Sequence, residues 1–240
     1  MSAAWVIARL SWLRLRRGRA LWILGLLWLL PPLVAAVLLG EPADPWERWR
    51  AVSEMTLRLL VTVAAAMLLA PAVAEEVESK TYTYLWSRPM PRGALLVGKL
   101  IAATPVLLAG FALSLTAAFF VALGREAPDH WGWYLETLAA AAADVVASGA
   151  LAVGAGALFP RHPFVFVMGY VLVIEQLLPF VPVAQKLSIL AQVGALAGLP
   201  GPAFGARPVE ALSMLAILSA AWLAVGQWRV HGTEYATADR

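Results

Sequence analysis

The sequence contains no cysteine and only three histidines. Without cysteine, the chain has no disulfide bond, no thiolate metal ligand and no cysteine nucleophile. His130, His162 and His231 fall in predicted loops or tails and lack the H-E-x-x-H spacing of a zinc site. No predicted membrane span contains a histidine, so a serine–histidine protease inside the membrane is not expected. We therefore expect no catalytic residue and no metal site.

Charged residues are also scarce. They make up 14% of the chain, against about 25% in a typical soluble domain, and 61% of the residues are hydrophobic. A soluble core does not need this much apolar sequence, so the excess must face lipid. A bilayer core about 30 Å thick requires roughly 20 apolar residues in a helix, and lipid leaves the backbone of an open strand unpaired. Six stretches qualify or nearly qualify: 20–39, 55–74, 94–123, 134–159, 164–180 and 209–228.

The placement of basic residues predicts the orientation. With both termini in the cytoplasm, twelve of the 18 lysines and arginines lie inside and six outside, and five of the twelve precede the first span. Cytoplasmic segments of membrane proteins carry such an excess. The sequence thus predicts an all-α membrane protein with six transmembrane helices and both termini cytoplasmic. We expect one domain over residues 1–240, located in the inner (cytoplasmic) membrane.

Three segments are not predicted to span the membrane. Residues 1–19 place tryptophans and arginines at neighbouring helical positions, which favours a helix at headgroup level. Residues 75–92 form the longest cytoplasmic loop. Residues 181–208 lie outside and are rich in glycine and proline yet still apolar, which favours a re-entrant or helical hairpin in the outer leaflet.

Residues 93–99 fit the G-x-x-x-x-G-K pattern of a phosphate-binding loop. In that loop a Ser or Thr follows the lysine and binds magnesium, whereas Leu100 stands there in this chain. No strand precedes the pattern, and an apolar helix surrounds it. We interpret it as the start of a membrane span with Lys99 reaching the interface, and we do not expect the isolated chain to bind ATP.

Two carboxylates are predicted inside the membrane, Asp144 in the fourth span and Glu175 in the fifth. Ionisable residues there face the bundle interior by default. They are compatible with a substrate or proton pathway, with an aspartyl dyad, or with structural hydrogen bonds such as one between Asp144 and Ser148. We favour structure for Asp144 and expect Glu175 to line an outward-facing cavity. Arg58, near the outer end of the second span, is a candidate partner of either carboxylate or simply reaches the interface.

The cytoplasmic loop carries the most informative pattern. It begins with an acidic turn that suits a helix N-terminus, continues with an aromatic cluster and ends at Pro89 and Pro91, since the residue before a proline avoids helix. Aromatic residues are enriched in the cores of protein interfaces, so the cluster indicates a docking surface. The alternative is that the aromatics lie at the membrane interface. The acidic residues concerned are Glu75, Glu76 and Glu78, and the cluster consists of Tyr82, Tyr84, Leu85 and Trp86.

This region resembles the membrane subunits of type-two ABC exporters, which are permeases encoded apart from their ATPase. In that family the second span is followed by an acidic stretch, a G-T-like pair, an apolar helix, a Leu-x-Ser-Arg-Pro-x-x-Arg turn and a Leu-Leu-x-x-Lys start of the third span. Lys80 here replaces the usual glycine, and Pro91 replaces a frequent serine. The matching positions are Glu75-Glu76, Lys80-Thr81, 85–92 and 95–99.

The fifth span adds a second match, because Gly169-Tyr170, Glu175 and Leu177-Leu178-Pro179 resemble the family's Tyr…Glu-x-Leu-Leu-x-x-Pro region. The resemblance implies a transport subunit that is not itself an enzyme and that works as a homodimer with two ABC ATPase subunits. ATP and magnesium would be held by the ATPases, and the chain would contact membrane lipids but no nucleic acid. The implied docking (coupling) helix contains Glu75, Glu76, Glu78, Lys80, Thr81, Tyr82, Tyr84, Leu85, Trp86 and Arg88.

Two other classes of protein stay open at this point. One is an ion-coupled secondary transporter or channel that uses Asp144 and Glu175, and it needs no partner. The other is an intramembrane hydrolase built on the same two carboxylates, and it requires both of them for activity.

Overall fold

The computed structural model describes residues 3–17, 20–40, 44–78, 93–181, 183–201 and 207–232. The regular elements in these ranges are all helical, as predicted. The α-helices are α1 Ala3–Arg17, α2 Ala20–Leu38, α3 Pro45–Met55, α4 Val61–Glu78, α5 Gly93–Leu123, α6 Trp131–Leu158, α7 Pro163–Gly169, α8 Glu175–Leu177, α9 Ile189–Leu196 and α10 Pro208–Gly232. Two π-helical segments, Thr56–Leu60 and Tyr170–Ile174, and three 3₁₀ segments, Gly124–His130, Leu178–Phe180 and Ala184–Leu187, complete the described elements.

Five described helical stretches are long and apolar enough to cross a membrane, and the longest, Gly93–Leu158, has 66 residues. That stretch contains α5 and α6, which fold back on each other. The Oγ1 atom of Thr116 lies 2.9 Å from the hydroxyl oxygen of Tyr134, whereas 18 residues of straight helix span about 27 Å. Gly124, with φ 56°, begins the 3₁₀ turn between them, a backbone conformation that glycine adopts readily.

The helix of the second span begins at Pro45 rather than near residue 55. Its first turns carry Glu47, Arg48 and Arg50, so they are too polar for a membrane span, yet α3, the π segment Thr56–Leu60 and α4 form one continuous helical run. Proline in the first turn of α3 suits a helix start. Trp49 on α3 is buried and packs edge-on against Phe119 of α5, so tertiary packing extends this helix beyond its apolar part.

Helix α6 is the centre of the bundle, and it packs most extensively against α4 and α10. It is buried without interruption from Ala147 to Ala157. A Cβ on Gly156 would collide with the carbonyl oxygen of Ala70 in α4. A Cβ on Gly154 would collide with the carbonyl oxygen of Trp222 in α10. Small residues allow such close backbone approach, which holds helices together where lipid provides no hydrophobic driving force.

The segment after the fifth span contains a short buried helix. Helix α9 has eight residues, and those from Ile189 to Gly194 are all buried, so it lies inside the protein rather than on its surface. It packs against α6, α10 and the π segment Thr56–Leu60. The predicted hairpin-like segment therefore contains a helix about 12 Å long, too short to cross a bilayer. We call residues 178–201, as far as they are described, the α9 hairpin.

Gly156→Ala should destabilise the protein because the new methyl group meets backbone, which cannot move aside as a side chain can. We expect a loss of about 1–3 kcal/mol and a melting temperature lower by about 2–4 °C per kcal/mol, measured by circular dichroism in detergent. Gly25→Ala in α2 is the matched control, since nothing lies within 4 Å of its Cβ position. It should leave the melting temperature unchanged or raise it, because alanine favours helix. Equal melting of the two variants would contradict the close approach of α4 and α6.

Candidate functional site: the buried carboxylates

Glu175 follows a π-helical segment that sets its position. In a π segment the backbone N–H bonds to the carbonyl five residues back, and the N–H of Glu175 does so with Tyr170. The Tyr170 side chain thereby lies within electrostatic range of the Glu175 carboxylate. Trp222 of α10 packs edge-on against the Tyr170 ring at 5.3 Å. The fifth span is thus not the single regular helix predicted, and its irregularity places the carboxylate.

The Glu175 carboxylate caps the N-terminus of α9. Oε1 accepts from the Ile189 backbone N–H at 3.1 Å, and Oε2 accepts from the Ser188 hydroxyl at 2.6 Å and from the Leu190 N–H at 3.3 Å. The Ser188 oxygen in turn accepts from the Ala191 N–H at 3.0 Å. The first three amides of α9 therefore all have acceptors, which a helix start otherwise lacks. A carboxylate there also complements the helix dipole.

Glu175 is almost completely buried by the protein. Its side chain is 2% exposed, and both oxygens are engaged with the α9 hairpin. The described residues therefore bury it against protein rather than toward lipid, and the outward-facing cavity expected from the sequence stays a prediction. The role of Glu175 in transport stays a prediction.

Arg58 contacts the end of the α9 hairpin that lies beyond the C-terminus of α9, away from Glu175. Gly198, with φ 64°, ends α9, and the Leu199 N–H reaches back to the Gly194 carbonyl at 2.9 Å, as in a Schellman motif. Arg58 Nη2 donates to the Pro200 carbonyl at 3.4 Å and pairs with Glu54 at 3.5 Å. Its described partners are thus on the outer segment and on its own helix, and neither buried carboxylate is among them.

Asp144 lies in the middle of α6 and is completely buried. The predicted hydrogen bond is confirmed, because the Ser148 hydroxyl donates to Oδ1 at 2.6 Å. The Ser148 oxygen lies 3.2 Å from Thr62 Oγ1, which connects α6 to α4. Oδ2 has no hydrogen-bond partner among the described residues. Asp144 is within electrostatic range of Glu175, yet each carboxylate has its own serine partner, unlike a dyad that shares one proton.

The docking helix falls largely outside the described residues. Glu75, Glu76 and Glu78 occupy the last turn of α4, but their side chains are not described. Lys80, Thr81, Tyr82, Tyr84, Leu85, Trp86 and Arg88 lie outside the described ranges, so ATPase docking stays a prediction. The G-x-x-x-x-G-K pattern is described in full. It lies at the start of α5, in a stretch long and apolar enough to span a membrane, as interpreted. Lys99, however, is buried in the protein at 6% exposure rather than extended to the interface.

The sequence was compared with models of known families. The model described as "ABC-2 family transporter protein" matches residues 9–159, which is more than half of the chain. The chain belongs to the ABC-2 transporter family. It is therefore the membrane (permease) component of an ABC transporter, and ABC-2 permeases pair with an ABC ATPase. A comparison with curated proteins found no significant match.

The ABC-2 match runs from α1 to the end of α6 and includes Arg58 and Asp144. Glu175 and the α9 hairpin follow the matched residues.

The sequence did not reveal two hydrogen-bonding partners, Ser188 of Glu175 and Thr62 of Ser148. Ser188 had a usable signal, since a serine directly before the apolar run 189–196 is typical of a helix N-cap. Thr62 had none, because pairing between different helices cannot be read from one sequence.

Glu175→Ala should unfold the start of α9, because two backbone amides and the Ser188 hydroxyl lose a buried acceptor, each costing about 1–3 kcal/mol. Glu175→Gln keeps one acceptor and should fall between alanine and the wild type in melting temperature. Hydrogen–deuterium exchange at residues 189–191 should accelerate in the same order. Glu126→Ala, at an exposed position, is the control. Wild-type exchange in Glu175→Ala would refute the capping role.

The hydrogen bonds of Asp144 predict that two variants lose different amounts of stability. Ser148→Ala leaves both Asp144 oxygens without a hydrogen-bond donor in a buried site, and we expect a loss of about 1–3 kcal/mol. Asp144→Asn keeps an oxygen that accepts from Ser148 and removes the ionisable group, so it should cost less. Thermal unfolding in detergent measures both. A larger loss in Asp144→Asn than in Ser148→Ala would show that the negative charge itself has a role.

Proposed function

We propose that this ABC-2 permease is the membrane-spanning subunit of an ATP-driven exporter. It would have six spans with both termini in the cytoplasm and work as a homodimer with two ATPase subunits in the inner membrane. The family match over residues 9–159 carries the proposal. The rest concerns how the chain is oriented, where the ATPase docks and where the path lies.

The start of α5, which follows the long loop, lies beside the end of α10, and this supports the proposed orientation. A Cβ on Gly93, the first residue of α5, would lie 2.9 Å from the Gln227 side chain near the end of α10. Helix α1 packs against α5, and Trp12 of α1 lies near Pro105. The loop 79–92 ends at Gly93, so it leaves the bundle at that same end. The basic residues before the first span favour the cytoplasm for this end.

The loop between α4 and α5 is the proposed docking site for the ATPase. Helix α4 packs directly against α6, the central helix, and its last turn carries the acidic residues of the docking helix. A displacement of a docked helix would thereby reach the bundle core through a rigid element, as shear motions between packed helices require. ATP and magnesium belong, in this proposal, to the ATPase subunits.

The translocation path is proposed to lie between two permease copies. Helices α4 and α6 are largely enclosed, whereas α2, the fifth span and α10 expose large apolar side chains such as Trp22, Val165 and Ile217. These faces are free to contact lipid or a second copy, and homodimers with two-fold symmetry are the commonest assemblies. The α9 hairpin, fixed by Glu175 and Arg58, would form the outer end of each half of the path.

The ion-coupled alternative requires carboxylates that an ion reaches. Asp144 is 0% exposed and Glu175 is 2% exposed, and each is hydrogen-bonded within the chain. That arrangement favours structural roles for both, with Glu175 positioning the α9 hairpin. It likewise gives no support to an intramembrane hydrolase, which needs a carboxylate facing its substrate.

If the docking helix binds the ATPase, replacing its aromatic residues should release the ATPase. When the tagged chain is purified from membranes of its own cells, an ABC ATPase should co-purify and be identified by mass spectrometry. Tyr84→Ala with Trp86→Ala should strip the ATPase from the complex while the permease keeps its melting temperature, since aromatic anchors dominate interface energies. Trp228→Ala, which removes an aromatic that is 72% exposed outside the loop, should retain the ATPase. Undiminished co-purification in the double variant would rule out this docking site.

A further inference from the structure

A groove of about 480 Å³ lies between α1, α2 and α5. Its volume is within the range of about 300–1,000 Å³ found for ligand pockets. Nearly all of its lining is apolar. The residues that define it include Trp12 of α1, Leu21, Trp28 and Pro32 of α2, and Pro105 and Ala117 of α5.

The groove is fixed by a close contact between α2 and α5. The Trp28 indole packs onto Gly110 so tightly that a Cβ at position 110 would overlap the ring. The Ser114 hydroxyl donates a hydrogen bond to the Trp28 carbonyl, and the Phe111 ring packs edge-on against the indole. These contacts hold α2 and α5 in one register. The small side chains of Ala109 and Ala117 beside the contact then leave the groove unfilled.

The groove opens towards the surroundings of the bundle. Leu29 on one side is 55% exposed and Leu113 on the other is 73% exposed, and both line it. One end of the groove is at Trp12, on a helix that also exposes Trp5, Leu10 and Leu13. A helix with exposed aromatic and apolar residues among arginines is typical of the headgroup region. The groove therefore extends from headgroup level into the apolar part of the protein.

The charges around the groove have a single sign. Helices α1, α2 and α5 contain no aspartate and no glutamate, and the first acidic residue of the chain is Glu41. Arg9 is exposed and lies three positions before Trp12. Positions three and four apart lie on the same side of a helix. The basic residues of α1 and its connection to α2 are Arg9, Arg14, Arg16, Arg17 and Arg19.

We propose that this groove binds one acyl chain of an anionic phospholipid, whose phosphate group lies beside Arg9 of α1. The apolar lining and the volume suit a hydrocarbon chain, and the one-sided charge selects a negative headgroup over a zwitterionic one. Each basic residue near a membrane surface contributes about 1 kcal/mol to binding acidic lipid. The site needs neither ATP nor an ATPase, so its test is independent of the proposed transport function.

The test uses the full chain in phosphatidylcholine liposomes that carry a trace of phospholipid with a photoactivatable diazirine on one acyl chain. A phosphatidylglycerol probe should label residues 105–117 more strongly than a phosphatidylcholine probe with the same chains. Arg9→Gln should lower that preference on the order of fivefold, matching the contribution of one arginine. Equal labelling of residues 105–117 by the two probes would overturn the proposal.

A second experiment fills the groove with larger side chains. Ala109→Trp with Ala117→Trp should abolish labelling at 105–117, whereas Ala139→Trp, the same change at an exposed position of α6, should not. Unchanged labelling of the filled variant would refute the site. Circular dichroism melting confirms that each variant is folded, and the single variant Ala109→Trp replaces the double one if that does not fold.

A second copy of the chain could cover the groove instead of lipid. Disulfide crosslinking tests this cleanly, because the chain contains no other cysteine. Leu113→Cys places one thiol at the mouth of the groove, and Leu135→Cys, which replaces a residue that is 58% exposed on α6, is the control. In membranes treated with an oxidant, Leu113→Cys should stay monomeric on a non-reducing gel. A disulfide-linked dimer specific to Leu113→Cys would show that a second copy of the chain covers the groove and would overturn the lipid assignment.

Discussion

A helix that starts inside a membrane protein exposes backbone N–H groups where no water is available to bind them. Helix α9 is such a helix, and the Glu175 carboxylate resolves the problem by accepting from its first amides and from Ser188. The same contact resolves a second problem, since a buried carboxylate needs donors as much as the helix needs acceptors. The π segment before Glu175 and the short length of α9 both serve this one arrangement. Removing either partner leaves the other unsatisfied, so the two are maintained together.

Close backbone approach organises the rest of the bundle. Gly154 and Gly156 face α10 and α4 from the same stretch of α6, and at these two positions the backbones meet without an intervening side chain. Polar contacts inside this bundle are consequently few and short, and the Asp144–Ser148–Thr62 cluster lies on the α4–α6 interface. Helix α6 therefore packs against both α4 and α10 and joins them into one bundle.

The sequence predicted the all-helical class and the positions of the apolar stretches because hydropathy over some 20 residues is a strong signal. It also predicted the Asp144–Ser148 contact, since both residues lie on one helix at a spacing of four. It did not predict that Glu175 binds Ser188 and the amides of α9, because the chain between them is irregular. The contact of Arg58 with Pro200, separated by 142 residues, likewise depends on tertiary packing. The extension of the second span to Pro45 was missed because polar residues hid a helix that Trp49 anchors.

The two ends of the α9 hairpin are held unequally. Its deep end has three hydrogen bonds to a buried carboxylate, whereas its outer end has one bond of 3.4 Å from an arginine side chain that is 45% exposed and shared with Glu54. Exposed single contacts open at lower free energy than buried networks. Opening the end near Pro200 therefore costs less free energy than opening the end bound to Glu175. The segment can thus loosen at its exposed end while its buried end stays bound to Glu175.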